Sequence, residues 1–211
     1  MVQRPENEAE TAGAILDAAE ALFAGQGFAA TTIKQIGAAA GVNPALIYYY
    51  FGSKEELYRR LLQRLLSTIA TRGSERLAAS PTPQDAVRAL IGTQAEVLGQ
   101  HPSIARLMAR EMADHGAEHA QEGIAQLAAT AFAGLLAFIE EGQRAGVFRA
   151  DMDPRFAAIS AVSLIPYFHL FKPAVGILLG TDGEPTPGQM DAYARHAAEF
   201  AIAALTKGGE G

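Results

Sequence analysis

Apolar residues recur along most of this chain with the three-to-four-residue spacing of amphipathic helices. The first such segment runs from about Glu8 to Ala24, and Gly25 and Gly27 follow it. Its apolar positions fall at i, i+3, i+4, i+7 and i+8: Ile15, Ala18, Ala19, Leu22 and Phe23. Later segments with the same spacing are separated by breaks rich in glycine and proline. The pattern predicts an all-α protein.

Residues 31–51 are predicted to form two short helices joined by a tight turn. Thr32 and Gln35 have the spacing of a capping box, in which each side chain satisfies a backbone N–H at the start of a helix. Gly41 stands where that helix should end, a position that often requires a left-handed residue. A helix, a glycine turn and a second helix are typical of a DNA-binding helix-turn-helix.

The second of these helices begins with Asn43 as N-cap and Pro44 in its first position. Ile47 and Phe51 lie one turn apart and should be buried, with Tyr48 on their flank. Three successive tyrosines could simply be core, but adjacent residues cannot share one buried stripe. The outer face can contact thymine methyls and phosphates. The candidate DNA contacts of this helix are Asn43, Pro44, Ala45, Leu46, Tyr48, Tyr49 and Tyr50.

Two threonines precede the first helix of this pair. The hydroxyls of Thr31 and Thr32, together with the free N–H groups of the helix start, can accept a phosphate. Capping alone explains Thr32 equally well. Ser53 and Glu56 form a second capping box, which starts a further helix.

Residues 9–66 resemble the DNA-binding domain of the TetR family of transcriptional regulators. The resemblance rests on several short elements in order: Ile15–Phe23, Gly27-Phe28, Thr31-Thr32, Ile36, Ala40–Val42, Ile47–Phe51 and Ser53–Leu57. It implies an all-helical, two-domain homodimer whose N-terminal domain binds an operator. The C-terminal domain of the family dimerises and usually holds a small-molecule inducer. Lys54 matches the family's phosphate-contacting lysine, and a solvated lysine is the alternative.

On this basis, residues 9–69 are predicted to form a three-helix helix-turn-helix DNA-binding domain. Residues 70–211 are predicted to form a helical ligand-binding and dimerisation domain. The partners implied are a palindromic operator, a second copy of the chain and a small-molecule effector, with no membrane and no cofactor. Two recognition helices related by a two-fold axis should reach major grooves about 34 to 36 Å apart, or at a longer effective spacing if two dimers bind.

Composition limits the other classes. The chain of 211 residues has no cysteine, which excludes disulfides and thiolate chemistry, and residues 1–10 contain no apolar run typical of a signal peptide. A cytoplasmic location is therefore expected. The net charge is −6, and six basic residues oppose seven acidic ones through Leu66. Few phosphates would be neutralised, so log affinity should fall with log salt less steeply than about −8 per dimer.

An effector pocket is expected in the C-terminal half. Met108 and Met112, one turn apart, suit a soft pocket wall, although plain core explains either residue. The most apolar stretch, Phe156–Gly180, is interrupted by Pro166 and lacks a clean run long enough for a membrane span. Pro166 should kink the helix beside three candidate pocket residues. The full candidate set is Met108, Met112, Phe132, Phe138, Tyr167, Phe168 and His169.

Two further helices have predicted roles. The one from about Glu118 to Ala145 is apolar on nearly all sides, which predicts a central, buried helix. The last, from about Gln189 to Lys207, carries small residues that permit close approach of another helix. Its predicted dimer-interface residues are Tyr193, Ala197, Phe200, Ala201 and Ala204.

His115, Glu118 and His119 have the spacing of an inverted zinc-peptidase motif, H-x-x-E-H. Zinc catalysis would need these residues on one continuous helix and a third ligand, whereas Gly116 falls at a predicted helix break. Solvated histidines at helix ends, with no catalytic residue and no metal, are the simpler interpretation.

The sequence thus predicts a DNA-binding transcriptional regulator, a repressor released by a small apolar or amphipathic ligand. One alternative is a ligand-independent regulator or partner-binding module with a fully packed C-terminal core. Another is a metal hydrolase that uses His115, Glu118 and His119.

Overall fold

A computed structural model describes residues 4–206, which contain helices and connecting turns and no strand. The all-α prediction is therefore confirmed. The helices are α1 (Arg4–Gln26), α2 (Ile33–Ala40), α3 (Pro44–Phe51), α4 (Lys54–Ala78), α5 (Pro83–Gln100), α6 (Ser103–His115), α7 (Gln121–Leu127), α8 (Ala133–Arg144), α9 (Pro154–Leu170), α10 (Lys172–Leu178) and α11 (Pro187–Leu205). A π-helical turn, Ala128–Phe132, joins α7 to α8.

The chain forms two compact units. The first comprises the chain up to Leu65 together with Arg106–Ile124, and the second comprises Leu66–Ala105 and the chain from Ala125 onward. The segment Arg106–Ile124 therefore packs with the helix-turn-helix, although it lies beyond the predicted N-terminal domain. The predicted domain ranges 9–69 and 70–211 remain a prediction.

The core of the first unit contains the apolar stripe of α1. Ile15, Ala19 and Phe23 are fully buried, and the rings of Phe23 and Tyr58 from α4 pack in a T-shaped arrangement with centroids 5.0 Å apart. Phe28 lies against both rings, at 5.7 Å from Phe23 and 5.0 Å from Tyr58. This aromatic cluster fixes the helix that supports α2 and α3.

In the second unit, α5, α9 and α11 pack on one another. Alanines at the contacts, including Ala158 on α9 and Ala197 on α11, let the helix axes approach closely. The Arg88 guanidinium on α5 lies 2.8 Å from the Glu199 carboxylate on α11. Because both side chains are largely exposed, this ion pair contributes little beyond orientation.

The prediction of a central, buried helix over residues 118–145 is wrong. The helical stretch Gln121–Arg144 buries few positions, namely Gly123, Ala131, Leu135, Ile139 and Gly142, and its other side chains are half-exposed or exposed. By length and apolar composition this stretch would suit a membrane span, with 22% of its most apolar window buried. Core helices of soluble proteins meet the same criterion, so length and composition alone assign no membrane role.

The apolar stretch after Asp153 has its sharp bend beyond Pro166. Helix α9 continues through Pro166 to Leu170, and the chain then turns by 88° at Phe171 into α10. Pro173 in the first turn of α10 is compatible with a helix start, where no intrahelical N–H bond is required.

Candidate nucleic-acid interface

The predicted caps define the start and end of α2. The Thr32 hydroxyl accepts a hydrogen bond from the Gln35 N–H at 3.2 Å, and Gln35 Oε1 accepts one from the Thr32 N–H at 2.9 Å. Gly41 adopts φ 67°, a left-handed conformation that ends the helix. The capping box and the glycine turn are therefore confirmed.

A close contact holds α2 against the start of α3. Asn43 Oδ1 accepts a hydrogen bond from the Ala45 N–H at 2.9 Å, with Pro44 in the first helical position. A Cβ atom at Gly37 would lie 3.0 Å from the Val42 carbonyl oxygen and 3.2 Å from Pro44 Cγ. Glycine at position 37 thus permits the approach of the two helices.

Helix α3 has one buried and one exposed face. Ile47 is fully buried and Phe51 is 5% exposed, as predicted. Tyr48 and Tyr49 are 54% and 72% exposed, so Tyr48 is more exposed than a flanking position implies. Tyr50 is half-buried and packs edge-on against Tyr49 with centroids 5.1 Å apart. The remaining candidates are exposed or half-exposed: Asn43, Pro44, Ala45 and Leu46.

Thr31 does not lie on this surface. Its side chain is fully buried and its hydroxyl donates to the Gly27 carbonyl oxygen at 2.7 Å. The prediction that Thr31 contacts a phosphate is therefore corrected, because the chain before α2 folds inward to satisfy that carbonyl. Thr32 is exposed at the N-terminus of α2, but its hydroxyl oxygen already caps the helix.

Lys54 is neither a free phosphate-contacting lysine nor a solvated one, the two interpretations that the sequence offered. Its ammonium donates to the carbonyl oxygens of Phe28 and Thr31, at 3.0 and 3.1 Å, and lies 4.3 Å from the centre of the Phe28 ring. A lysine ammonium has three N–H donors, so these bonds leave one for a phosphate. Lys54 thereby connects the start of α4 to the segment that precedes α2.

Several basic side chains of this unit are engaged by carboxylates. The Ser53 hydroxyl caps α4 by accepting from the Glu56 N–H at 3.0 Å, while the Glu56 carboxylate pairs with Arg60 and Arg59 instead of completing the capping box. The hydrogen bond from Arg60, followed by that from Arg59, lowers the pKa of Glu56. Arg64 pairs with Asp17 and Glu20 on α1. This pattern agrees with the expected weak salt dependence.

The candidate pocket residues do not all belong to the same compact unit. Met108 and Met112 belong to the first unit, and the other five belong to the second. Met112 is 46% exposed and Tyr167 is 55% exposed, so neither lines a closed pocket within its own unit. Tyr167 is exposed although Phe168 is buried, because adjacent positions on the α9 helix point about 100° apart. Phe132 and Phe138 are half-exposed.

Phe168 and His169 lie on the buried face of α9. The Phe168 ring stacks on Tyr193 of α11, with centroids 4.0 Å apart and an interplanar angle of 19°. His169 is 9% exposed, and its buried Nδ1 atom has no protein hydrogen-bond partner among the described residues. Burial, assisted by the charge of Lys172, lowers the pKa of His169 to about 4. The imidazole is therefore neutral at pH 7.

The predicted dimer-interface residues divide into buried and exposed positions. Ala197 is 1% exposed and packs within its own chain, so its assignment to the interface is corrected, whereas Ala201, 7% exposed, still lines the groove that Phe200 and Ala204 border. Phe200 is 59% exposed and Ala204 is exposed. Both line an apolar groove between α9 and α11, whose other walls include Met152, Ser160 and Leu164. Tyr193 is half-buried against Phe168.

The H-x-x-E-H motif is not a continuous helix. Helix α6 ends at His115, and Gly116 and Ala117 both have positive φ values, 58° and 73°. Glu118 is exposed and outside the histidine cluster. The carboxylate near His119 is instead that of Glu111, which sequence reasoning missed although it lies one helical turn before His115.

Comparison with known proteins agrees with this architecture. The family model described as bacterial regulatory proteins, tetR family, matches residues 15–61, and the model described as Tetracyclin repressor-like, C-terminal domain, matches residues 83–200. The second match alone covers more than half of the chain.

Individual relatives point the same way. The chain is 29% identical over 170 residues to the HTH-type transcriptional repressor NicS of Pseudomonas putida (strain KT2440), with 80% of each chain covered. It has a TM-score of 0.73 and 23% identity to the crystal structure of PfmR from Thermus thermophilus, covering 92% of this chain and 99% of that one. FadR from Bacillus subtilis, solved in complex with stearoyl-CoA, gives a TM-score of 0.73 and 19% identity, with 92% and 98% covered.

These relatives are transcriptional regulators rather than enzymes, so the metal-hydrolase alternative has no support from them. The capped helix-turn-helix, the exposed tyrosines of α3 and the two family matches lead to one conclusion. The chain belongs to the TetR family of transcriptional regulators.

Proposed function

We propose that the protein is a homodimeric repressor that binds a palindromic operator through α3 and is released by a small apolar or amphipathic ligand. The observation that carries the DNA-binding part is the division of α3 into a buried face and an exposed aromatic face. Tyr48 and Tyr49 are large, mostly exposed side chains at the surface of a capped helix, where their hydroxyls can reach phosphates. Repression is supported by the relative NicS, which is a transcriptional repressor.

Dimerisation is proposed to occur through the groove between α9 and α11. Phe156 and Ile159 on α9 are 69% and 52% exposed, and Phe200 on α11 is 59% exposed. Apolar side chains of this size, gathered beside an apolar groove, are typical of a surface that another protein chain covers. A two-fold axis through this face would pair α9 and α11 with the same helices of a second copy, giving one recognition helix per half-site.

The effector is proposed to bind in the C-terminal unit near the buried face of α9. Phe168 supplies an apolar surface, and the unpaired Nδ1 of neutral His169 can accept or donate a hydrogen bond, depending on its tautomer. An amphipathic molecule satisfies both features. That a structure of the same fold was solved with stearoyl-CoA supports a ligand of this class. Binding would favour the conformation in which the spacing of the recognition helices no longer fits the operator.

The test uses a fluorescent duplex recovered by the protein from a random pool. Stearoyl-CoA is titrated into the protein–duplex complex, and anisotropy reports release of the DNA. Release by wild-type protein, with a clearly weaker response of His169→Leu at unchanged DNA affinity, supports the proposal. Tight DNA binding that stearoyl-CoA and shorter acyl chains leave unchanged would favour the ligand-independent alternative.

The protein acts on DNA, so we propose the cytoplasm as its location. The proposed dimer interface and effector site do not depend on the DNA-binding residues. The proposals for DNA binding and for ligand release can therefore fail separately.

A further inference from the structure

Three side chains in the first unit form a cluster that neither DNA binding nor the proposed effector site uses. One ligand atom each from Glu111, His115 and His119 lies within 4.8 Å of the other two. Glu111 Oε2 is 3.2 Å from His119 Nδ1, and the two imidazole rings meet edge-on with centroids 4.7 Å apart.

The end of α6 brings these residues together. Glu111 and His115 lie one turn apart on the helix, and the left-handed residues Gly116 and Ala117 then reverse the chain. The reversed segment brings His119 back to Glu111, and the backbone N–H of His119 donates a hydrogen bond to Glu111 Oε1 at 2.7 Å. The cluster is therefore held by the backbone as well as by side-chain contacts.

The surroundings make the carboxylate an unusual group. Glu111 is fully buried, and the aromatic rings of Phe28 and Tyr58 lie 5.5 and 5.4 Å from the His119 ring. Burial, followed by the charge of Glu111, raises the pKa of Tyr58, and the protonated Tyr58 hydroxyl donates a hydrogen bond to the Glu111 carboxylate. A carboxylate in such surroundings is favoured only if a positive charge accompanies it.

The nearby basic side chains are directed elsewhere. Arg110 donates to the Gly25 carbonyl oxygen at 3.2 Å, and Lys54 donates to the carbonyl oxygens of Phe28 and Thr31. Among the residues that the structure describes, no lysine or arginine forms an ion pair with Glu111, so a bound cation can supply the positive charge that suits this carboxylate.

We propose that Glu111, His115 and His119 bind a divalent transition-metal ion, with Zn²⁺ as the best match. One carboxylate oxygen and two imidazole nitrogens are ligands that Zn²⁺ accepts at about 2.0 to 2.2 Å, with a fourth position for solvent. His115 is half-exposed and can rotate toward the other two ligands, whose separation is already short. The site joins α6 to the reversed segment and is regulatory or structural, because the family is not enzymatic.

This ligand set differs from the one that the sequence motif implies. H-x-x-E-H would use Glu118, whereas the structure places Glu111 beside the histidines. The pair Glu111→Gln and Glu118→Gln therefore makes a matched comparison, since both changes remove one negative charge and keep the side-chain shape.

The experiment uses full-length protein stripped with EDTA. Zn²⁺ affinity is measured by competition with a chromophoric chelator, and the visible absorption of added Co²⁺ reports the coordination of the ion. We expect one Zn²⁺ per chain, at least a tenfold loss of affinity in Glu111→Gln and His119→Gln, and unchanged affinity in Glu118→Gln and in His196→Gln, an exposed histidine on α11.

Several outcomes would overturn the proposal. Absence of stoichiometric binding by wild-type protein would contradict the site and leave the contact between Glu111 and His119 as a hydrogen bond within the fold. Equal losses in Glu118→Gln and Glu111→Gln would favour the motif-based site. If circular dichroism shows that Glu111→Gln is unfolded, His115→Gln decides, because this half-exposed residue can be replaced without leaving a buried charge, and unchanged Zn²⁺ affinity there contradicts the site.

Discussion

The Nζ atom of Lys54 lies 3.0 Å from the carbonyl oxygen of Phe28 and 4.3 Å from the centre of the ring of the same residue. This contact joins the first turn of α4 to the segment between α1 and α2. Phe28 in turn packs on Phe23 and Tyr58, so Lys54 ties the segment before α2 to the aromatic part of the core. A position that the family uses for phosphate contact thus also has a structural role in this chain.

Replacing Lys54 by Met should lower the stability of the first unit as well as DNA affinity. Hydrogen bonds to a charged group contribute about 1.5 to 3 kcal/mol, so a loss of that order in the free energy of unfolding is expected. Lys34→Met is the matched control, because Lys34 is exposed on α2 and its change removes the same charge. Chemical denaturation of DNA-free protein measures the free energy of unfolding of both variants. Equal stability of the two variants would contradict the structural role and leave Lys54 as a phosphate ligand only.

Replacing Phe200 by Glu should break the dimer, because a charge would be placed in the apolar groove between α9 and α11. Sedimentation velocity at several protein concentrations measures the change. Ile177→Glu is the control, since Ile177 is 79% exposed on α10, away from the groove. A dimer that survives Phe200→Glu but dissociates in Ile177→Glu would move the interface to α10.

His169 should make stability depend on pH. Its pKa is about 4 in the folded protein, below the value of 6.5 in the unfolded chain. Well above pH 6.5 both states are neutral and the stability is fully present. As pH falls from about 7 to about 5, the unfolded state binds the proton first, and roughly 2 kcal/mol of stability should be lost.

This loss is measured by urea unfolding at one fixed protein concentration, because dimerisation makes stability concentration-dependent. His169→Gln should show a shallower pH dependence than wild-type protein, and His196→Gln, an exposed residue, should behave as wild type. Carboxylates contribute equally to all three curves. Identical slopes in His169→Gln and wild type would mean that the buried imidazole does not carry the effect.

The local elements of the DNA-binding unit followed from the sequence because they depend on neighbouring residues. Thr32, Gln35, Gly41 and Asn43 act within one or two turns of the chain, and their caps were predicted correctly. The burial of Ile47 followed from helical periodicity in the same way.

Long-range contacts could not be derived in this way. The inward side chain of Thr31 and the two carbonyls bound by Lys54 depend on how segments distant in the sequence pack together. The alanines of α11 suggested an interface because small residues permit close approach, but the sequence does not say whether the approaching helix is from the same chain. Ala197 packs within its own chain, whereas Ala201 and the exposed Phe200 line the groove between α9 and α11.

The central claim is sequence-specific binding to a palindrome through α3, and selection from a pool of random duplex DNA tests it most directly. Wild-type protein should recover a palindrome with half-sites about one helical turn apart. Tyr49→Ala should not, although its fold and dimer are intact, since Tyr49 is 72% exposed. Tyr167→Ala, which changes an exposed tyrosine of α9, should recover the same site as wild type. Failure of folded, dimeric wild-type protein to enrich any palindrome, or equal enrichment by Tyr49→Ala, would contradict the account.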